Sequence, residues 1–262
     1  MTTKRRALVI GGSMSGLLAA IMLSRRGWDV EVFERVEKEL AGRGAGIVAQ
    51  AELMARMKVL GLETRDLGVT MTTRKILDQS GHVTVTLECP QMLTAWERVY
   101  RVLRDAFPAE RYHRGEGLKA FEQSEQGIIA HLSDGRAIVR LMEEPILQPI
   151  YDLESPRLAF GRVAIIGDAA FVARPHVAAG VSKAADDAAA LAEALDTVDV
   201  EAALRRFETQ RLPENKKIIE RARHLGAYLQ ATQTAEERAR SARHSIPQAV
   251  LAETAVLDFL RT

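Results

Sequence analysis

The pattern of apolar and polar positions near the start of the chain predicts a strand, a turn, a helix and a second strand. The apolar run at 7–10 has the length of a short buried strand, and a glycine-rich turn follows at 11–16. Residues 17–26 then form an apolar helix that Gly27 is well placed to end, and residues 29–34 alternate as a strand. Together they predict a βαβ unit of about 30 residues.

Downstream of this unit the pattern adds hairpins and helices. Strands are predicted over 71–88 as a hairpin turning at 79–81, over 127–132 and 136–140 around a turn at 133–135, and over 162–166 as a buried strand. Helices are predicted over 51–60, 96–106 and 181–195, and from 200 onward with a break at Pro213. We therefore expect an α/β fold with an antiparallel β layer and a helical C-terminus.

Composition indicates the size and cellular environment of the protein but not its chemistry. The 262 residues suffice for one large domain or two small ones, and a net charge of +1 gives no electrostatic case for binding nucleic acid. Cys89 is the single cysteine, which excludes an internal disulfide and suits the cytoplasm. The histidines lack metal-ligand spacing, and no apolar stretch reaches the roughly 18 residues that span a bilayer, so we expect neither a metal nor a membrane segment.

The glycine-rich turn from Gly11 to Gly16 suits a dinucleotide. It follows the pattern Gly-x-Gly-x-x-Gly with Ser13 at the middle position, where backbone N–H groups approach a pyrophosphate at a helix N-terminus. Glu34 ends the second strand, where a carboxylate can accept hydrogen bonds from ribose hydroxyls. The alternative is a purely structural turn with Glu34 on the surface.

A second segment makes the pattern recognisable. The predicted strand at 162–166 is followed by Gly167-Asp168, and Arg174-Pro175-His176 and Ala178-Ala179-Gly180 precede a helix. With the turn at 11–16 and the loop Arg43-Gly44-Ala45-Gly46-Ile47, these motifs resemble the para-hydroxybenzoate-hydroxylase-like family of FAD-dependent aromatic-ring monooxygenases. The resemblance is nearest to the branch that includes 2,6-dihydroxypyridine hydroxylase, and it implies a Rossmann-like FAD-binding domain.

The resemblance also implies which residues contact FAD. They are Gly11, Ser13, Met14, Ser15, Gly16, Glu34, Arg35, Arg43, Asp168, Ala178, Ala179, Gly180 and Val181. Asp168 takes the place of the family's aspartate that binds the ribityl chain, and His176 is the candidate catalytic group near the flavin ring. Alternatives stay open: a helix cap for Asp168, a solvated charge for Arg43, and a surface or cap role for His176. Asp186 and Asp187 are interpreted as favouring the first turn of the helix through its dipole.

One family segment is missing at the junction of residues 140 and 141. The family pattern places there an Asp-Gly motif and a sheet that builds much of the substrate pocket, on the order of a hundred residues. We therefore expect a reduced antiparallel β layer. The predicted organisation is an FAD-binding domain at 1–196, made of blocks 1–140 and 141–196 with a hairpin insert at about 70–92, and a C-terminal helical segment at 197–262.

The resemblance implies a reaction in which NAD(P)H reduces FAD, O₂ is activated, and a small aromatic or heteroaromatic ring is hydroxylated. Hydroxylation needs a pocket that excludes water, so loss of the middle segment predicts poor coupling and release of hydrogen peroxide. The C-terminal helices are a candidate surface for a homodimer. Two alternatives stay open: a non-catalytic flavin-binding or interaction protein, and a nicotinamide dehydrogenase, which would leave Gly167-Asp168 unexplained.

Overall fold

A computed structural model describes residues 5–42, 46–124, 127–134, 151–197, 199–227, 230, 232–242 and 246–260. The strands are β1 (Arg6–Ile10), β2 (Asp29–Glu34), β3 (Gly46–Ala49), β4 (Val69–Leu77), β5 (Val83–Ala95), β6 (Tyr112–Arg114), β7 (Glu116–Ser124), β8 (Gly127–Asp134), β9 (Leu153–Glu154), β10 (Ala159–Phe160), β11 (Val163–Ala164) and β12 (Phe171–Val172). The helices are α1 (Met14–Arg25), α2 (Ala51–Val59), α3 (Trp96–Asp105), α4 (Gly180–Ala194), α5 (Val200–Ala227), α6 (Ala235–Ser241) and α7 (Pro247–Glu253).

The predicted βαβ unit is confirmed, but the expectation that its first strand is buried is wrong, since no described residue of β1 is fully buried and Leu8 and Ile10 are exposed. β1 and β2 pair in parallel, and β6 pairs in parallel with the other edge of β2. Gly27 follows the end of α1 with a φ of 81°, a conformation that glycine adopts without steric cost. The carboxyl ends of β1 and β2 therefore lie at the same edge of the sheet, which carries the turn at 11–16 and Glu34.

The main core lies between this sheet and two helices, α1 and α4, that pack against each other. Leu17 and Leu18 of α1 are fully buried, and burial of each such side chain contributes about 1.5–3 kcal/mol. α4 buries Ala185, Ala188 and Ala192, whose spacings of three and four residues place them on one face. Because these side chains are small, α1 and α4 can approach closely along this face.

The antiparallel layer contains the predicted hairpin. β4 and β5 pair around a turn at 78–82, in which the Asp78 carboxylate accepts hydrogen bonds from the N–H groups of Ser80 and His82. β3 pairs with the end of β5, and α7 packs against β4 and β5. Arg74 of β4 holds α7 in place by donating to the carbonyl oxygens of Leu251 at 2.9 Å and of Thr254.

Two strand predictions in the later half of the chain are corrected. Ser133 and Asp134 do not form a turn, since they belong to β8 and pair with Gly117 and Glu116 of β7. The predicted partner strand at 136–140 and the junction at 140–141 lie outside the described residues. The expected buried strand at 162–166 is reduced to the half-buried two-residue β11, because its backbone pairs with β10 and not with the parallel sheet.

The C-terminal part is helical, as predicted, but α5 continues through Pro213. A proline inside a helix costs roughly 3 kcal/mol, so packing must hold the helix together on both sides. Phe207 before the proline and Ile219 after it are fully buried in the main core. The boundary predicted at 196/197 stays a prediction. Among the described helices, none has both the length and the apolar character needed to cross a membrane.

Candidate cofactor site

The turn after β1 depends on its glycines. Gly11 has a φ of 103°, and its N–H donates to the carbonyl oxygen of Phe33 at 2.8 Å. A Cβ on Gly16 would lie 1.9 Å from the carbonyl oxygen of Gly11, so only glycine lets α1 start this close to β1. A Cβ on Gly11, in contrast, would meet no atom within 4 Å. The turn is therefore tight against the protein on one side and open on the other.

Glu34 holds this turn from the end of β2. One carboxylate oxygen accepts from the N–H of Gly12 at 2.8 Å, and the other accepts from the N–H of Val36 at 2.9 Å. Glu34 is only 6% exposed, so the alternative of a surface glutamate is wrong. A carboxylate has roughly four lone-pair sites, so these two bonds leave acceptor capacity for a ligand hydroxyl.

Tyr112 of β6 also holds the turn, a role that was not predicted from the sequence. Its hydroxyl donates to the carbonyl oxygen of Gly12 at 2.9 Å, and a Cβ on Gly12 would lie 2.1 Å from that hydroxyl oxygen. Burial raises the pKa of Tyr112, so the hydroxyl stays protonated and keeps donating. No local sequence motif marks Tyr112, because its contact with the turn depends on the pairing of β6 with β2.

The N-terminus of α1 faces this turn without a side-chain cap. Ser13 occupies the cap position, is exposed, and forms no capping hydrogen bond with its side chain. The N–H groups at a helix start lack partners within the helix, and the dipole makes this end attractive to anions. Ser13 and the first turn of α1 are thus suited to hold a phosphate group.

The second motif lies directly against the first. Gly167 has a φ of 59°, and a Cβ on it would lie 2.1 Å from the side-chain oxygen of Ser15 and 3.7 Å from the Cβ of Ala184. Gly167 is therefore held between the first turn of α1 and the N-terminal part of α4. The fold brings together the two segments that the sequence singled out separately.

Asp187 fixes Gly167 in this position. Its carboxylate is fully buried and accepts from the N–H of Gly167 at 3.0 Å, from Nε of Arg211 at 2.8 Å and from Nδ2 of Asn215 at 3.1 Å. The interpretation of Asp186 and Asp187 as first-turn residues of the helix is wrong, because α4 begins at Gly180 and has no acidic residue in its first turn. Asp187 instead ties α4 and α5 to the Gly167 segment.

Arg211, Asn215 and Lys183 were missed at the sequence level. Lys183 and Asp187 are four residues apart on α4, as are Arg211 and Asn215 on α5, so each pair shares a helix face. That spacing was the available signal, but it fits exposed helix faces equally well. Only the packing of α4 on α5 shows that these polar groups are buried together.

Asp168 lies beside this buried cluster and points outward. Its side chain is 75% exposed, and one carboxylate oxygen lies 3.9 Å from Nζ of Lys183. Asp168 sits inside the short turn Gly167–Ala169, whose cap position is Ile166, so the helix-cap alternative is wrong. The exposed carboxylate is available to accept hydrogen bonds from a ligand.

The small residues before α4 leave its N-terminus open. Ala178 adopts a φ of 49°, Ala179 is buried, and Gly180 is exposed with no atom within 4 Å of a Cβ placed on it. Val181 follows as a half-buried residue in the first turn. A flat ring could thus approach this helix end closely, as the resemblance implies.

His176 is packed against α5. Its Nδ1 lies 3.3 Å from where a Cβ on Gly226 would stand, and its carbonyl oxygen accepts from the N–H of Ala255 at 3.0 Å. Burial lowers the pKa of His176, and the charge of Arg174 adds to this effect. These contacts support a packing role, and a catalytic role stays a prediction. Arg35 is exposed, and Arg43 lies outside the described residues.

The described residues fit a bound dinucleotide on their own geometry. The uncapped start of α1, the open side of Gly11 and the exposed carboxylate of Asp168 all lie around the junction of the two motifs. A cavity of about 410 Å³ lies elsewhere, between the β4–β5 hairpin and α7, and includes Met71, Leu93 and Leu251 in its walls. The site therefore defines a dinucleotide-binding α/β protein.

Comparison with known proteins identifies the family. A family model described as an FAD binding domain matches residues 4–140, and the chain belongs to this FAD-binding family. Three predictions are thereby confirmed: the FAD cofactor, the resemblance to aromatic-ring hydroxylases and the α/β fold class.

Two curated relatives illustrate the similarity. The 2,6-dihydroxypyridine 3-monooxygenase of Paenarthrobacter nicotinovorans is 34% identical over 134 residues, which are 51% of this chain and 34% of that protein. The salicylate hydroxylase of Pseudomonas putida is 40% identical over 82 residues, which are 31% of this chain and 17% of that protein. The matches thus span about one third or less of each relative's length.

Solved structures show the same fold. The structure of 2,6-dihydroxypyridine-3-hydroxylase from Arthrobacter nicotinovorans aligns with a TM-score of 0.78 at 22% identity, covering 88% of this chain and 94% of that one. HpxO of Klebsiella pneumoniae, complexed with FAD and uric acid, aligns with a TM-score of 0.75 at 17% identity, covering 95% and 97% of the two chains.

Proposed function

We propose that this chain is an FAD-binding oxidoreductase of the aromatic-ring monooxygenase type, with NAD(P)H as its electron donor. The contact between Gly167 and Ser15 carries the proposal. This contact joins the glycine-rich turn at 11–16 to the Gly167-Asp168 segment. The alternative of a nicotinamide dehydrogenase leaves the Gly167-Asp168 segment without a function.

The residues divide the work of holding the cofactor. Ser13 and the first-turn N–H groups of α1 bind the pyrophosphate, and Glu34 accepts from the adenosine ribose. Asp168 accepts from the ribityl chain, and the N-terminus of α4 faces the ring, where its dipole stabilises negative charge. Bound FAD supplies electron transfer from NAD(P)H and activation of O₂, and the protein positions and shields it.

The proposed substrate is a small electron-rich aromatic or heteroaromatic ring. The names of the relatives, a dihydroxypyridine monooxygenase and a salicylate hydroxylase, support this class. Parallel sheets are normally covered on both faces, yet Leu8 and Ile10 of β1, an edge strand of the described sheet, are 38% and 44% exposed. Because hydroxylation needs a pocket that excludes water, and the family segment that builds much of this pocket is missing at the junction of residues 140 and 141, we expect most electrons to leave as hydrogen peroxide.

The test measures three quantities on the purified protein with FAD: NAD(P)H consumed, peroxide released and hydroxylated product formed. Hydroxypyridines and hydroxybenzoates are the candidate substrates. NAD(P)H oxidation stimulated by such a ring, with peroxide as the main product, supports the proposal. Product equal to NAD(P)H consumption refutes the expected uncoupling, and the absence of any oxidation by an FAD-loaded protein favours the non-catalytic flavin-binding alternative.

Two further expectations remain part of the proposal. The single cysteine, Cys89, is free, which suits the proposed cytoplasmic location. A homodimer would cover exposed apolar surface and limit water access, and measuring the molecular mass in solution tests it.

A further inference from the structure

Lys183 is a buried ammonium without a hydrogen-bond partner among the described residues. Its side chain is 0% exposed, and Nζ lies 3.9 Å from one oxygen each of Asp168 and Asp187. These distances exceed those of a hydrogen bond, although an ammonium carries three donors. Burial lowers the pKa of Lys183, and the two carboxylates oppose this effect. Burying an ammonium group without hydrogen bonds lowers the free energy of unfolding, so its presence here requires an explanation.

The position of Lys183 links it to the proposed flavin site. It lies in the first turn of α4, where its own N–H donates to the carbonyl oxygen of Ala179 at 2.7 Å. The next residue, Ala184, is the one that packs on Gly167. The ammonium therefore lies close to the Gly167-Asp168 segment, which meets the first turn of α1.

The two carboxylates near Lys183 differ in what they can still do. Asp187 already accepts from Gly167, Arg211 and Asn215, so its acceptor capacity is largely used. The side chain of Asp168 is exposed, but partial burial of its carboxyl group raises its pKa, and the charge of Lys183 opposes this effect. Because Nζ itself is enclosed, Lys183 reaches a ligand only through Asp168.

We propose that Lys183 is a positioning residue of the cofactor site: its buried ammonium keeps the carboxylate of Asp168 ionised and oriented to accept from the bound flavin nucleotide. The inference rests on the proposed FAD site, and it adds a residue that no motif assigns. It also explains why the fold tolerates a buried ammonium, since the charge serves ligand binding and not folding.

The test compares FAD affinity and stability in matched variants. Lys183→Met keeps an unbranched side chain that is one heavy atom shorter and removes the charge, and Lys216→Met removes the charge of an exposed lysine on α5. FAD binding is measured by flavin fluorescence titration, and stability by urea unfolding with and without FAD. We expect Lys183→Met to weaken FAD about tenfold or more, the effect of losing one charge-assisted interaction. Stability without FAD should not fall, because Asp187 keeps its hydrogen bonds from Gly167, Arg211 and Asn215, and the ammonium that is removed has no hydrogen bond.

A double-variant comparison separates positioning from packing. If Lys183 acts through Asp168, Lys183→Met has no further effect on FAD affinity in an Asp168→Asn background. The inference is overturned if Lys183→Met binds FAD as the unchanged protein does, or if affinity and stability without FAD fall together. Absence of FAD binding by both the unchanged protein and Lys216→Met refutes the proposed site itself, which distinguishes the two failures.

Discussion

Replacing Asp187 by asparagine should destabilise the protein strongly. The carboxylate is 0% exposed and lies between two buried cationic side chains, Arg211 at 2.8 Å and Lys183 at 3.9 Å. Removing one partner from a buried ion pair typically costs about 3–5 kcal/mol, because the remaining charge is left uncompensated. Arg211 also contacts Glu214 and Asn215, so we expect the lower end of this range, about 3 kcal/mol.

The assay is urea unfolding of the Asp187→Asn variant without FAD. A matched control is Asp196→Asn, which breaks the exposed pair of Asp196 and Arg26 at 3.0 Å and should cost about 0–1 kcal/mol. Asp187→Asn should also weaken FAD, because the N–H of Gly167 loses its carboxylate acceptor. A loss of stability below about 1 kcal/mol would refute the assignment of Asp187 as the link between α4, α5 and the Gly167 segment.

Three further outcomes follow from individual side chains. Glu34→Gln should weaken FAD by about 1–3 kcal/mol in a fluorescence titration, since the ribose loses a charged acceptor, and unchanged affinity would remove Glu34 from the site. Because the pKa of His176 is lowered in the folded protein, its protonation favours the unfolded state. The free energy of unfolding should therefore fall as the pH drops below about 6.5, and it should fall less steeply in His176→Gln. Equal pH slopes for the two proteins would contradict this. Pro213→Ala should stabilise the protein by about 1–3 kcal/mol, because α5 regains a backbone hydrogen bond, and a thermal midpoint that does not rise would show that the helix is adapted to the proline.

Local patterns were sufficient for the elements of the first motif. The strand at 29–34, the start of α2 at Ala51 and the start of α3 at Trp96 agree with the structure, because periodicity and glycine positions report on neighbouring residues. The same reasoning failed at 162–166, where an apolar run does not say which strand will pair with it. It also failed at Pro213, where tertiary packing overrides the local preference of proline.

In the candidate site, too, some residues could be predicted from the sequence, whereas others depend on tertiary packing. The first motif could be singled out from its glycines and from Glu34 at the end of a strand, and the second through its resemblance to a known family; their contacts with FAD stay predictions. The side chains that hold the two motifs in place come from elsewhere: Tyr112 from β6, and Arg211 and Asn215 from α5. Their roles depend on burial and on contacts between distant parts of the chain, which a single sequence does not display.

Equilibrium FAD binding by three forms of the purified chain tests the central claim most directly. The unchanged protein should bind one FAD per chain, and Glu201→Ala, which alters an exposed residue of α5, should bind it equally well. Asp168→Ala should lose most of this affinity, because the ribityl chain loses its acceptor beside Gly167. Equal retention of FAD by Asp168→Ala and Glu201→Ala, or no binding by any form, would contradict a flavin site built where the two motifs meet.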